Sequence, residues 1–447
     1  MFTIQPLASA EQPTKSTIYS IQETHQLPNN SSTAATNVVA TILLFDNRTD
    51  YAGQQILSET IEVDGASPEI TRTEENRVAR FSLGTISGGS SKTITITNII
   101  KITQVGPIDS SAVQESVPSE MLTYTQPIAN LWESDDPTIN SKALELTAGK
   151  SNIYDKARAI FDFVKDYLTY HEYAVEHSAL WAYNNYIGDC SEFTHLFSAL
   201  CRAAGIPTMF VSGYGYNPQK GSDLRAHGHA WAFIYVPGVG WAPMDLIWQQ
   251  PQGEFAMLSD DHLIRATSYG PDLVSDGEIH TPANMVTYSY PHGQNPDINF
   301  VSTGQIVREV AVEPQLSTAS SMEGDIWKFY VKVTNAGAQA VTNLNVALSA
   351  DSASLEVPNA QSISSLAAGG SQVVTFNVQV KGSVENGVVT AHVTYDSSYG
   401  TLLAEGQSVV NVIVGGPSEG ETSIMLFALI GVVIGLVVGV AIALLRR

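Results

Sequence analysis

Gly188-Asp189-Cys190-Ser191-Glu192-Phe193-Thr194-His195-Leu196-Phe197 is the stretch from which the rest of the chain can be read. Phe193, Leu196, Phe197 and Leu200 recur at helical spacing, and Gly205 followed by Pro207 stops the run. A helix is therefore expected from about Cys190 to Ala204. Gly188 permits a sharp turn into it. Cys190 then stands at a helix N-terminus, where unpaired N–H groups and the positive end of the dipole favour a thiolate. The same N–H groups are placed to hold an oxyanion formed on an attacked carbonyl. Cys201, the second of the two cysteines, falls in the middle of the helix. At ~1.5 Å rise per residue it is roughly 16 Å from Cys190, whereas a disulfide needs Cα atoms within about 7 Å. No bridge between them is expected.

Two partners for a thiol follow in the chain. His229 to Val236 alternates in strand fashion, with His229, Trp231, Phe233 and Tyr235 on one face. Pro237-Gly238-Val239-Gly240 turns the chain, and Trp241 to Leu246 returns carrying Asp245. Neighbouring strands lie about 4.8 Å apart, so His229 and Asp245 meet, directly opposite or one pair off. In that arrangement Cys190 is the nucleophile, His229 its base, and Asp245 the group that fixes the imidazole tautomer. Singly, each has a plainer explanation: a structural cysteine, a core histidine, a turn-capping aspartate. Their order and context favour the joint reading.

At these residues the chain resembles the transglutaminase-like superfamily, a branch of the papain-type thiol enzymes. The matching stretches are Gly188 to Phe193, Ala199-Leu200-Cys201-Arg202-Ala203-Ala204-Gly205-Ile206-Pro207, Val211-Ser212-Gly213-Tyr214, His229-Ala230-Trp231 and Gly240-Trp241-Ala242-Pro243-Met244-Asp245. The resemblance covers roughly residues 140–250. It implies the roles just given to Cys190, His229 and Asp245, and acyl transfer through a thioester. Family members commonly carry Arg where this chain has Met209. The second oxyanion donor is not assigned by any motif; Trp181, Tyr183 and Tyr186 are candidates as aromatic donors upstream of the cysteine. His195 reads as polar packing and His227 as a surface residue. No cofactor and no metal are expected: with one cysteine already used, a Cys-rich zinc site is unsupported. Glu133, Asp135 and Asp136, or Asp260 and Asp261, lack calcium-loop spacing and read as solvated carboxylates.

The fold class expected is multidomain: an α+β papain/transglutaminase-like core between two all-β sandwiches, plus one C-terminal transmembrane helix. Residues 1–16 read as disordered or as a residual export signal, with Ala8-Ser9-Ala10 resembling a cleavage site. Residues 17–110 alternate with period two, clearest in Thr93-Ile94-Thr95-Ile96-Thr97, and are assigned to an N-terminal β-sandwich. Residues 111–300 are assigned to the thiol domain, with a buried helical face at Ala157, Ile160, Phe161 and Val164. Within it, 250–300 shows no clear period. Residues 305–415 read as an Ig-like sandwich, with Trp327 to Val333 and Val373 to Val380 its clearest strands. A linker at 416–423 leads to an uncharged apolar run at 424–445, about 33 Å long as a helix and enough to cross a bilayer.

Arg446 and Arg447 close the chain, so the positive-inside rule puts them in the cytoplasm and the other domains outside. The net charge of -22, from 44 acidic and 22 basic residues, excludes a nucleic-acid partner, which needs a basic footprint. The expected partners are a protein or peptide substrate in the cell envelope and the membrane, through one span. The expected function is a cell-membrane thiol enzyme acting on protein or peptide amides, by hydrolysis or by transfer to an amine. The alternative is a catalytically silent binding or structural protein of the cell surface.

Overall fold

The structure, a computed structural model, describes residues 15–412 apart from 65–66, 73–75, 115, 249–252, 276–277, 280–285, 292 and 295. The expected linker, transmembrane helix and cytoplasmic tail, and nearly all of the expected leader, lie outside the described residues. Among the described residues no helix is long and apolar enough to cross a membrane. Two compact units are present, residues 19–307 and residues 308–412 with 15–18.

The first unit begins with a β-sandwich. Its strands are β1 (Ser16–Pro28), β2 (Ala35–Leu44), β3 (Gln54–Val63), β4 (Glu69–Arg72), β5 (Arg77–Ile86) and β6 (Ser91–Thr103). Alternation does the folding here: Ile94, Ile96, Ile100 and Ile102 of β6 point inward, and Val38, Ala40 and Ile42 of β2 meet Phe81 and Leu83 of β5 in the core. Each such side chain contributes roughly 1.5–3 kcal/mol on burial.

An α+β core follows. Helices α1 (Pro137–Thr147) and α2 (Ile153–Tyr167) lead to the short strand β7 (Thr169–Tyr170), helix α3 (Ala179–Asn185), β8 (Ile187–Gly188) and helix α4 (Cys190–Ala203). The five-stranded sheet comes next: β9 (Thr208–Gly215), β10 (Gly228–Val236), β11 (Gly240–Asp245), β12 (Glu254–Phe255) and β13 (His262–Ser268), in the order β12-β11-β10-β9-β13. The apolar stripe of α4 is buried as its spacing predicts, but so is every residue from Ser191 to Arg202. Helices α1, α2 and α3 on one side and the sheet on the other enclose it. A helix buried all round must satisfy its polar groups internally. Arg202 does so with Nε to Thr208 Oγ1 (2.9 Å) and with its two amino groups to the carbonyls of Gln126, Thr208 and Tyr269.

Two sequence expectations are corrected. The segment 250–300 is not irregular throughout: it contains β13, all seven residues of which are buried. Burial on both faces and a bulge between Ile264 and Ala266 erase the alternation that would reveal it. The assignment of 111–300 to one domain also fails at its end. After the small pair β14 (Val274–Ser275) and β15 (Glu278–Ile279), strand β16 (Val286–Ser289) pairs with β2, and β17 (Val301–Val310) joins the sheet of β1, β6 and β3. The chain thus returns to complete the N-terminal sandwich. A four-residue strand is too short to show a period.

The second unit holds β18 (Val312–Thr318), β19 (Ile326–Asn335), β20 (Val341–Ala350), β21 (Leu355–Glu356), β22 (Gln361–Leu366), β23 (Ser371–Val380), β24 (Val384–Ser397) and β25 (Gly400–Val412). They form two four-stranded sheets, β18-β19-β23-β21 and β22-β20-β24-β25. Trp327, Phe329, Val331 and Val333 of β19 alternate inward.

Strand β13 is an edge strand, yet its backbone is not left open. The Gln54 side chain accepts from Ile264 N–H (2.7 Å) and donates to the Ile264 carbonyl (2.9 Å). Asn76 does the same to Thr267, at 2.9 and 2.8 Å. Arg265 and Glu23, both buried, pair at 2.9 Å. Side-chain amides of the sandwich thus act as a substitute neighbouring strand. Orphaning a buried backbone group costs about 1–3 kcal/mol. Gln54→Leu should therefore lower stability by about 2–4 kcal/mol, measured by denaturant titration, against a much smaller loss for a substitution of exposed Gln55.

Candidate active site

Cys190 opens α4 behind a closed cap. Asp189 is the N-cap residue; its carboxylate accepts from Ser191 N–H (2.8 Å), and Glu192 reaches back to Asp189 N–H (2.8 Å). The capping box is complete, with the Asp189 side chain also taking the Glu192 N–H. Cys190 N–H makes no such bond, and its thiol is partly accessible. Helix α4 packs on β10, the strand that carries His229 and Ala230. Burial pushes the Cys190 thiol up, the Asp189 carboxylate adds to this, the Ala230 amide opposes it, and Asp245 and Glu176 push it further up. The expected thiolate preference of the helix N-terminus is thus outweighed. The cap uses the N–H groups, and carboxylates surround the sulfur.

The β10–β11 register pairs Ala232 with Met244. Continued by one step it sets Asp245 across from Trp231 and diagonal to His229, on one face of the sheet. His229 Nε2 lies 2.5 Å from Asp245 Oδ2. The other oxygen, Oδ1, accepts from the N–H groups of Ile247 (3.0 Å) and Trp248 (2.9 Å).

A second imidazole reaches the same aspartate, and sequence reasoning missed it. His262 Nε2 lies 3.0 Å from Asp245 Oδ2, and its Nδ1 lies 3.0 Å from Asp261 Oδ1 and 3.3 Å from Ser259 Oγ. Burial alone would raise the Asp245 carboxyl; the two histidines outweigh it and hold it well below the usual carboxylate range. Asp261, read from sequence as a solvated carboxylate, is bonded to His262, Ser259 and Trp248 Nε1. The donor atoms of His229, Asp245 and His262 lie within 4.8 Å of one another, a set that prompts the question of a divalent cation. Both imidazole contacts, however, converge on a single oxygen at hydrogen-bond lengths, which describes proton sharing.

In a flat sheet β13 and β11 would be roughly 14 Å apart, three spacings of about 4.8 Å. The His262–Asp245 contact therefore needs the sheet to curl at this end. Glycine makes room for it. A Cβ on Gly213 would stand 2.0 Å from Leu263 O, and one on Gly215 would stand 2.5 Å from the Trp248 ring and 3.3 Å from His229 Cδ2.

The remaining candidates divide. Trp181 stacks on His177 at 3.8 Å between ring centres and meets Tyr173 edge-on. His177 N–H donates to Glu192 (2.7 Å), so this aromatic wall is tied to the cap of α4. Tyr183 and Tyr186 instead pack on Tyr167, whose hydroxyl donates to the Tyr183 carbonyl. Tyr170, absent from the sequence candidates, stands opposite Gly188 in the β7–β8 pair. Although Tyr170 is 48% exposed, partial desolvation pushes its phenol up, and the charges of Cys190, Glu172 and Asp189 add to this. His195 accepts from Trp132 Nε1–H (3.0 Å) and faces Glu176 (3.3 Å), the packing role expected of it. His227 is not a surface residue: it is buried, accepts from Asn217 N–H and faces the Gly221 carbonyl.

A family model for the transglutaminase-like superfamily matches residues 140–246, which hold Cys190, His229 and Asp245. This stretch belongs to the transglutaminase-like superfamily. A second family model, CARDB, matches residues 309–412 in the other unit. Among curated proteins, the uncharacterized protein YebA of Bacillus subtilis is 26% identical over 144 residues, which are 28% of this chain and 20% of that protein. The chain thus spans only a fifth of that relative's length. Among solved structures, a protein of Cytophaga hutchinsonii provisionally described as a cysteine protease is 18% identical, with a TM-score of 0.45, covering 65% of this chain and 97% of that one. The periplasmic domain of TgpA from Pseudomonas aeruginosa is 13% identical, with a TM-score of 0.27 over 50% of this chain and 87% of that one. Red sea bream transglutaminase is 11% identical, with a TM-score of 0.25 over 88% and 79%.

Within the transglutaminase-like domain, Gly215→Ala should leave the protein folded and push Trp248 and His229 off their positions. The expected result is a loss of at least tenfold in the alkylation rate of Cys190, read by mass spectrometry, with little change in melting temperature.

Proposed function

We propose that the chain is a thiol enzyme that acts on amide bonds of proteins or peptides through Cys190, His229 and Asp245. The observation that carries this reading is the 2.5 Å contact between His229 Nε2 and Asp245 Oδ2, with His229 on β10, the strand against which the cysteine-headed helix α4 packs. With Nε2–H given to Asp245, Nδ1 is the acceptor nitrogen. Burial and the nearby carboxylates push the Cys190 thiol up, and proton removal therefore accompanies attack. Cys190 Sγ bonds to the amide carbon as its proton passes to His229 Nδ1. The Cys190 N–H donates to the oxyanion, with Trp181 of the aromatic wall as second donor. The C–N bond then breaks, His229 returns the proton to the leaving amine, and a thioester remains. Water, or an amine in the transfer reaction, gives its proton to His229, attacks the thioester carbon and releases the thiol.

A silent binding protein is the second reading, favoured by the raised Cys190 thiol. Against it stand the buried His229–Asp245 contact and a cysteine at the head of α4, the residue types a thiol mechanism needs. Labelling separates the two. An amide-mimicking electrophile directed at thiols should label Cys190 stoichiometrically, and Cys190→Ala should abolish labelling, since Cys201 is fully buried. Equal labelling of that variant would remove the enzymatic reading.

We further propose a cell-membrane location with the folded units outside, supported by the apolar run at 424–445 and the arginines Arg446 and Arg447 after it. Protease treatment of intact cells should then degrade both folded units. Complete protection would place them inside.

A further inference from the structure

His262 has no role in the steps above, yet it is fully buried against the triad. Its two ring nitrogens each face a carboxylate, Nε2 to Asp245 and Nδ1 to Asp261, both at 3.0 Å. An ionised carboxylate only accepts hydrogen bonds. A ring that satisfies both must donate from both nitrogens, and is then an imidazolium.

We propose that His262 is a positioning residue, a permanently charged imidazolium that clamps Asp245 for His229 and sets a positive charge beside the His229 ring. This rests on reading Cys190, His229 and Asp245 as the triad. The groups facing His262 come from every neighbouring element: Asp245 from β11, His229 from β10, Glu254 from β12 at 4.0 Å, and Asp261 with Ser259 from the preceding loop. The rings of Trp231 and Trp248 close the remaining sides, and β9 passes as Gly215 without a side chain. Burial would discharge the ring, but the bonds to Asp245 and Asp261 and the nearby Glu254 outweigh it and hold its pKa well above the usual value.

The consequence for His229 follows from charge. Asp245 alone would stabilise a protonated His229 strongly, leaving it a poor acceptor for the Cys190 proton. A positive His262, with ring centres 5.7 Å apart, offsets that pull while leaving the orienting hydrogen bond intact. It also gives Asp245 Oδ2 a second donor, so the carboxylate cannot rotate away when His229 moves during turnover.

The test reads His262 directly and does not require turnover. Nitrogen-15 NMR of the protein with labelled histidines should show both His262 ring nitrogens protonated at neutral pH and still so about two units above it. A neutral tautomer under those conditions overturns the proposal. The second readout is His262→Gln, which keeps a donor to Asp245 and removes the charge. Losing a nearby positive charge raises the pH at which the Cys190–His229 pair gives up a proton. The acid limb of Cys190 alkylation by iodoacetamide should move up by about one unit or more. A slower reaction with an unmoved limb would mean a merely structural role and overturns the proposal. His262→Lys, which restores a charge, should bring the limb back towards the parent value. A wild-type chain that turns over no amide, yet holds a doubly protonated His262, would count against the enzymatic reading alone.

Discussion

The Asp245 carboxylate is the point on which this site depends. It is buried, and a buried charge is tolerable only when hydrogen-bonded on all sides. Here four donors meet it: two backbone N–H groups from the turn that follows β11, and one nitrogen from each of two imidazoles. Those bonds set the end of β11, the path of residues 246–248 and the tautomer of His229. They also require the sheet to curl until β13 comes within reach. The absence of side chains on Gly213 and Gly215 is what lets that happen.

The same dependence makes the N-terminal sandwich part of the site's support. Strand β13 carries His262 near its start and Arg265 three residues on. Its free edge is held by Gln54 and Asn76, and its arginine by Glu23. All three partners come from the sandwich, which the chain completes only after the transglutaminase-like core, with β16 and β17. An edge strand without these amides would expose unpaired backbone groups within the unit. The sandwich therefore stabilises the element that stabilises Asp245, and it cannot be treated as an independent appendage of the transglutaminase-like core.

On the other side of the cysteine the support is local. Asp189 and Glu192 close the cap of α4, and the Glu192 carboxylate also takes the His177 N–H while His195 holds Glu176. The loop before α3 is thereby tied down beside Cys190 and carries an aromatic wall, Tyr173–Trp181–His177. Burial pushes the thiol up, and the structural carboxylates Asp189 and Glu176 add to it. A closed cap and an easily ionised thiol pull against each other here.

The sequence by itself determined the parts governed by local rules. Helical spacing and the Gly205–Pro207 stop placed α4 with Cys190 at its head. Alternation and a glycine turn placed His229 and Asp245 on adjacent strands, and period-two runs such as Thr93 to Thr97 announced the sandwich. These signals survive because each is written within ten or fifteen neighbouring residues. Only the tertiary structure decided that His262 and Asp261 complete the site, that β16 and β17 belong to the first sandwich, and that the thiol is pushed up. The reason is the same in each case. Strand β13 is buried on both faces and carries no period, its partners Gln54 and Asn76 are about two hundred residues away in sequence, and a pKa depends on neighbours that only folding assembles.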